Sequence, residues 1–385
     1  MRMMLYAALL AGSSPAAAIT PMSLQQRVEA KFAEAGPGVR FGLVVTTLDG
    51  REVLAINPDG RFVPASNTKL FTTIAAYELL PGLDQPDTEG GTRVRLEQGK
   101  RAPNVILEGR GDARMSSAPD CRSNCLAALA DAVAARTRTV HTVTGDAEAF
   151  ADERWSFGMS WNNIPTRSGT AIAALSVDGN EMALRVSPAE GGGDPIARVA
   201  DYMDIDNAAV TDAEKATNLS VERLPGSRRI RLSGTIAAKA EEQVLRLGID
   251  DPAFHTTWRF VGMLQERGVK VTGYGPSYRS DAEDIEPPAE PVLAQLTPPP
   301  LAEDIVTINK VSQNVHAELL LRRLGAARDK PSVAGGLEAV RDMLGRAGVP
   351  ERAATLADGS GMSPYNRVSP RGVVTMLRWA AGRPW

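Results

Sequence analysis

Residues 86–289 carry short β patterns broken by turns, and helix-phased segments stand on both sides of them. That layout constrains the fold more than any single motif, because similar helical architecture flanks a long β-rich middle. The economical arrangement is one domain built from residues 19–85 and 290–385, with residues 86–289 inserted as one or two β-rich satellites. The expected class is α/β in the mixed α+β sense, and a chain of 385 residues has room for it. A proline-rich stretch, Glu286-Pro287-Pro288 through Pro298-Pro299-Pro300, marks the downstream boundary.

On the first side, Leu24, Val28, Phe32 and Ala33 form a helical stripe over 21–35. A β-rich run over 39–47 and a returning strand over 52–56 flank Asp49-Gly50, a strong hairpin turn signal. Within the insertion, 92–96 and 104–107 read as short strands and Gly109-Arg110-Gly111-Asp112 as a loop. An alanine-rich helix is expected over 125–135, then little sustained helix before 280 except near 258–267. Helical periodicity returns over 301–310, 315–324, 335–345 and 373–381.

The chemistry-bearing stretch is Ser66-Asn67-Thr68-Lys69. Pro64 suits a helix start, where its missing N–H is no loss. Leu70, Phe71, Ile74, Ala75 and Leu79 then recur at helical spacing, so Ser66 and Lys69 lie on one side of a helix with a buried face. A serine hydroxyl attacks only once something takes its proton; a lysine one turn away, kept neutral by an apolar pocket, can take it. Any serine three before a lysine fits this pattern, so the context carries the argument. Ser312-Gln313-Asn314, lying between two helices, supplies part of it. Ser312 could relay a proton toward a leaving amine, and Asn314 could bind substrate backbone and hold Lys69. Both residues are also ordinary helix caps.

A rival pair, Ser160-Trp161-Asn162 with Arg167-Ser168-Gly169-Thr170, mimics such a site. It is set aside because Asn162 and Arg167 are only five positions apart and the stretch lies in the insertion, away from the helices that a serine–lysine site needs. Trp155 and Trp161 are expected in local core.

The formal net charge is −3 with both signs dispersed, which leaves no basic footprint for nucleic acid. Arg2, an apolar run over 3–11 too short to span a bilayer, and Ser13-Ser14-Pro15-Ala16-Ala17-Ala18 make residues 1–18 an expected signal peptide. No other segment is long and apolar enough to be a membrane span. In an exported chain Cys121 and Cys125 suit a small disulfide loop. In a reducing compartment Cys-x-x-x-Cys would be half a metal site, but His141, His255 and His316 are scattered and no further cysteine exists.

Together, Ser66-x-x-Lys69, the long insertion, and Ser312-x-Asn314 within Asn-Lys-Val-Ser-Gln-Asn-Val-His-Ala-Glu-Leu-Leu-Leu resemble the D-alanyl-D-alanine carboxypeptidase/endopeptidase family, the low-molecular-mass class C penicillin-binding proteins. Pro64-Ala65-Ser66-Asn67-Thr68-Lys69-Leu70, Gly109-Arg110-Gly111-Asp112 and Asp358-Gly359-Ser360-Gly361-Met362-Ser363 match as well. The resemblance implies a penicillin-binding/β-lactamase-like transpeptidase fold split by insertions. It also implies a periplasmic serine peptidase acting on peptidoglycan peptides, acylated by β-lactams, with no metal or organic cofactor. Carried over by position, Ser66 is the nucleophile, Lys69 the base, and Ser312 and Asn314 the second active-site element.

The third motif of such proteins, Lys-Thr-Gly on a later strand, has no counterpart between Asn314 and Trp385. The expectation is therefore a truncated chain that lacks an inner part of its sheet. A non-catalytic cell-wall-binding protein with the same fold is the competing reading. A β-lactamase is less consistent with the insertion length and with the absence of a recognisable deacylating glutamate segment.

Overall fold

The computed structural model describes residues 22–279 and 291–385. The expected signal peptide and the Glu286-Pro287-Pro288 end of the proline-rich stretch lie outside those residues. Up to Pro58 the described chain forms one unit. Helix α1 (Leu24–Ala33) opens on Ser23, whose hydroxyl accepts from the Gln26 amide while the Gln26 side chain accepts from the Ser23 amide. This reciprocal cap satisfies two donors that the helix cannot. Strands β1 (Leu43–Thr46) and β2 (Glu52–Ile56) pair antiparallel, and Gly50 turns between them at φ +99°.

Asp59–Trp385 forms the second unit. It begins with α2 (Thr68–Leu79), which turns Phe71, Ile74 and Ala75 inward as the spacing predicts. Strands β3 (Arg93–Glu97) and β4 (Asn104–Glu108), helix α3 (Leu126–Ala134) and strand β5 (Thr139–Ala151) follow. Next come β6 (Glu181–Ser187), β7 (Ile196–Arg198), β8 (Asp204–Asp212), β9 (Asn218–Glu222), β10 (Arg229–Ala237) and β11 (Gln243–Gly248). Helix α4 (Pro252–Glu266) is started by Asp251, whose carboxylate accepts from the Phe254 amide, and by Pro252 in its first turn. Strands β12 (Lys270–Arg279) and β13 (Val292–Gln295) lead to α5 (Leu301–Lys310), α6 (Asn314–Ala326) and α7 (Val333–Arg346). Two short strands, β14 (Ala354–Thr355) and β15 (Arg367–Val368), precede α8 (Pro370–Ala381).

The largest sheet has the order β12-β5-β4-β3-β13, with β4–β5 and β5–β12 parallel. Parallel neighbours need a crossover, and α3 supplies the one between β4 and β5. The middle of the chain departs from the sequence reading in two places. β5 runs for 13 residues instead of breaking into short strands, and α4 begins at Pro252 instead of near Trp258. Asp251 and Pro252 were the available start signal.

Three apolar cores form among the described residues. One joins Phe71 and Ile74 of α2 to Ile308 of α5, Leu320, Leu321 and Leu324 of α6, Met343 of α7 and Met376 of α8. A second packs the five-stranded sheet (Val94, Val105, Leu107, Val143) against Leu126 and Leu129 of α3 and Phe260 and Leu264 of α4, with Val315 and Leu319 of α6 added. The third, around Leu184, Ile230, Leu232 and Ile249, fills the smaller sheets. Helix α6 therefore contributes to two cores, so any charge on its buried faces has to be paired within the protein.

Candidate active site

The start of α2 is where buried and exposed chemistry meet. A 3₁₀ turn, Ala65–Asn67, runs into the helix, and Ala65 takes a left-handed φ of +48°. Such a backbone is unusual for a residue with a Cβ and clusters at functional sites. Ser66 is exposed while Lys69 is 2% exposed. The Lys69 Nζ lies 3.4 Å from Ser66 Oγ, 2.7 Å from Asn314 Oδ1 and 2.6 Å from the carbonyl oxygen of Ser360. Burial pushes the lysine down from 10.5 to about 8, against the upward pull of the Glu318 and Asp358 carboxylates. The expected apolar pocket is thus a polar cage: the lysine loses water but gains two fixed acceptors and two nearby negative charges.

The loop over 358–363 forms one wall of this cage. The Asp358 carboxylate accepts from the Gly361 and Ser363 amides and from Asn366 Nδ2. Thr72 Oγ1 donates to the Gly359 carbonyl at 2.9 Å, tying the loop to α2. Gly361 sits at φ +92°, and a Cβ there would lie 1.9 Å from the Ala65 carbonyl oxygen, so the loop reaches the serine turn only with glycine at this position. From α6, Glu318 Oε1 accepts from the Gly359 and Ser360 amides, both at 2.9 Å. Its Oε2 accepts from Ser156 Oγ and from Arg322 Nη1.

Of the residues singled out in the sequence, Ser66, Lys69 and Asn314 are brought together. Ser312 is exposed at φ +61°, and the three hydrogen-bonding neighbours of Lys69 Nζ do not include it. Cys121 and Cys125 are joined by a disulfide with Sγ–Sγ 2.06 Å.

The segment over 160–170 corrects two expectations. Trp161 is 66% exposed at the start of a 3₁₀ turn instead of lying in local core, whereas Trp155 is half-buried and donates to the Gly169 carbonyl. The rival stretch Arg167-Ser168-Gly169-Thr170 does reach the site: the Ser168 carbonyl accepts from Asn314 Nδ2 at 2.9 Å. Arg167–Gly169 is a 3₁₀ turn and not a strand, and it comes to the site because it packs beside the start of α6.

Glu318, Arg322 and Asp358 were not read as site residues. A signal for the first two existed. Positions 315, 318, 319 and 322 make one helical stripe in which Glu318 and Arg322 replace the apolar residues expected there.

An environment in which an exposed serine, a buried lysine and an asparagine converge from separate elements can activate a hydroxyl for attack on a carbonyl. A D-alanyl-D-alanine carboxypeptidase of Actinomadura sp. (strain R39) is 33% identical over 371 residues, covering 89% of this chain. The chain spans 64% of that relative's length. Penicillin binding protein 4 from Haemophilus influenzae superposes with a TM-score of 0.75 over 91% of this chain and 78% of its own, at 20% identity. The same protein complexed with a novel β-lactam gives 0.69 at 18% identity, covering 91% of this chain and 76% of its own. At those identities the two structures show a common fold. The sequence model of the D-Ala-D-Ala carboxypeptidase 3 (S13) family matches residues 24–385, nearly all of the described chain, and the chain belongs to that family.

Proposed function

We propose that this protein is an exported, periplasmic serine-type D-Ala-D-Ala carboxypeptidase/endopeptidase that cleaves peptidoglycan peptides through an acyl-enzyme on Ser66. The observation that carries the reading is the placement of Lys69 Nζ, 3.4 Å from Ser66 Oγ with Asn314 Oδ1 and the Ser360 carbonyl as its other two neighbours. A neutral lysine has two N–H bonds and one lone pair. With both hydrogens given to Asn314 and Ser360, the lone pair is left for the Ser66 hydroxyl. The names of the Actinomadura and Haemophilus relatives point to the same substrate class and to β-lactam binding.

In this reading Ser66 Oγ attacks the carbonyl carbon of the penultimate D-alanine as its proton passes to Lys69. The tetrahedral intermediate collapses, the C–N bond breaks, and the proton held on Lys69 passes to the leaving amine with Ser312 as the relay. Water then attacks the acyl carbonyl as its proton passes to Lys69, the ester C–O bond breaks, Ser66 Oγ takes that proton back, and the peptide leaves with a new carboxylate. Asn314 holds the lysine through Oδ1. Its Nδ2 gives one hydrogen to the Ser168 carbonyl and has a second for substrate backbone. In this proposal the peptidase domain is built around the core that joins α2 to α5, α6, α7 and α8, and the sheet of the segment inserted between them runs past the expected boundary at 289, because β13 pairs with β3.

The test is intact mass and peptide mapping after incubation with a penicillin, with Ser66→Ala as control. One adduct on Ser66, absent from the variant, is the expected result. A folded protein that takes no adduct would overturn the reading in favour of wall binding without catalysis.

A further inference from the structure

The ion pair between Glu318 and Arg322 is the most buried charged feature next to the lysine. Arg322 is 1% exposed, and its Nη1 lies 3.0 Å from Glu318 Oε2. A buried pair of this kind is weak evidence for stability, since apolar residues of similar size often serve as well. Its bonds point to another use. Arg322 also donates to the Glu318 and Glu153 carbonyls, which fixes the guanidinium. Glu318 in turn spends Oε1 on the amides of Gly359 and Ser360. The Ser360 carbonyl is the acceptor 2.6 Å from Lys69 Nζ, so one residue, Ser360, connects the carboxylate to the lysine, its N–H bonded to Glu318 and its carbonyl, in the next peptide group, to Lys69.

We propose that Glu318, resting on the serine–lysine reading above, is a positioning residue: through the Gly359 and Ser360 amides it aims the carbonyl that takes one Lys69 hydrogen, and its charge offsets the burial of the lysine. Arg322 holds Glu318 in place through the bond to Oε2. The other charged groups facing this cluster are Lys69 on α2, Asp358 on the loop, and Glu153 and Arg154 on the segment after β5. Arg154 is engaged by Asp152 and Asp251, and Glu153 by the Val333 amide, which leaves Glu318 and Asp358 as the negative charges acting on the lysine.

Glu318→Gln separates the role from simple packing, because the amide oxygen still accepts from Gly359 and Ser360 while the charge is gone. Two readouts follow Lys69 directly. One is its titration by NMR with lysine labelled at Cε, assigned through Lys69→Arg. The other is the pH profile of acylation by penicillin. In Glu318→Gln the Lys69 midpoint falls by about one pH unit, a tenfold change in the proton equilibrium, and the acid limb of acylation moves with it. Should the single variant unfold, Glu318→Gln/Arg322→Met removes both charges together and carries the same expectation in sign. A folded variant whose Lys69 midpoint stays at the wild-type value overturns the proposal. If wild-type protein forms no adduct at any pH, the nucleophile assignment fails, and the Lys69 titration alone decides the role of Glu318.

Discussion

At the scale of single residues, the site depends on one close approach and one titration. Gly361 lets the 358–363 loop touch the serine turn. Replacing it with alanine forces a left-handed backbone, about 1 kcal/mol for a residue with a Cβ, and drives that atom into the Ala65 carbonyl, which cannot swing aside. Gly361→Ala should therefore lower stability in urea by at least about 1 kcal/mol and slow adduct formation by about a hundredfold, the ordinary loss for a displacement near 1 Å. Wild-type acylation in a folded variant would show that the contact is dispensable. The titration is that of Lys69. Its active form as a base is neutral, and burial places its midpoint at about 8. Acylation should rise with pH through that midpoint and level off above it. A flat profile from about pH 6 to about pH 9 would exclude the lysine as the base.

At the scale of elements, α2 and α6 carry the site between them. α2 presents Ser66 and Lys69 only while Phe71 and Ile74 hold it against α5, α6 and α7. Phe71 is 1% exposed, so Phe71→Ala should destabilise the protein by about 3–5 kcal/mol in equilibrium unfolding, with adduct formation falling in proportion to the unfolded fraction. Much at this scale was legible in the sequence. Spacing located α2, α5, α6, α7 and α8 to within a few residues, because each buries one face and the apolar period shows it. Strand β5 was less legible. Its alternation is interrupted by Thr144, Gly145 and Asp146, a run that reads as a turn until two parallel neighbours supply its hydrogen bonds. The Asp358–Lys69 and Glu318–Ser360 relationships were illegible for a different reason. They join residues far apart in the chain through backbone amides and carbonyls, and no side-chain pattern records those groups.

At the scale of the whole molecule, several buried carboxylates set how stability varies with pH. Asp112, Asp146 and Asp358 are pushed up by burial to about 6 from an ordinary 3.8. As pH falls from about 7 to about 5 the folded protein takes up protons at these positions that the unfolded chain does not, so each favours folding over that interval. His255 opposes them. Burial holds it down at about 4 against an ordinary 6.5, so the unfolded chain binds its proton first and stability is lost through the same interval. Three groups against one leave a net gain on the order of 1–2 kcal/mol between about pH 7 and about pH 5. Further acidification reverses the trend. Asp87 and Glu108 are held below their ordinary values, Asp87 by Arg323 and Glu108 by Arg110 and Arg95, and that stabilisation is lost as they protonate. Urea unfolding at a series of pH values should show stability rising as pH falls from about 7 to about 5, whereas acylation falls over the same interval. A stability that declines steadily from neutral pH would mean that the buried aspartates are ionised at little cost. The stability and reactivity optima would then no longer be separated by the same burial that lowers Lys69.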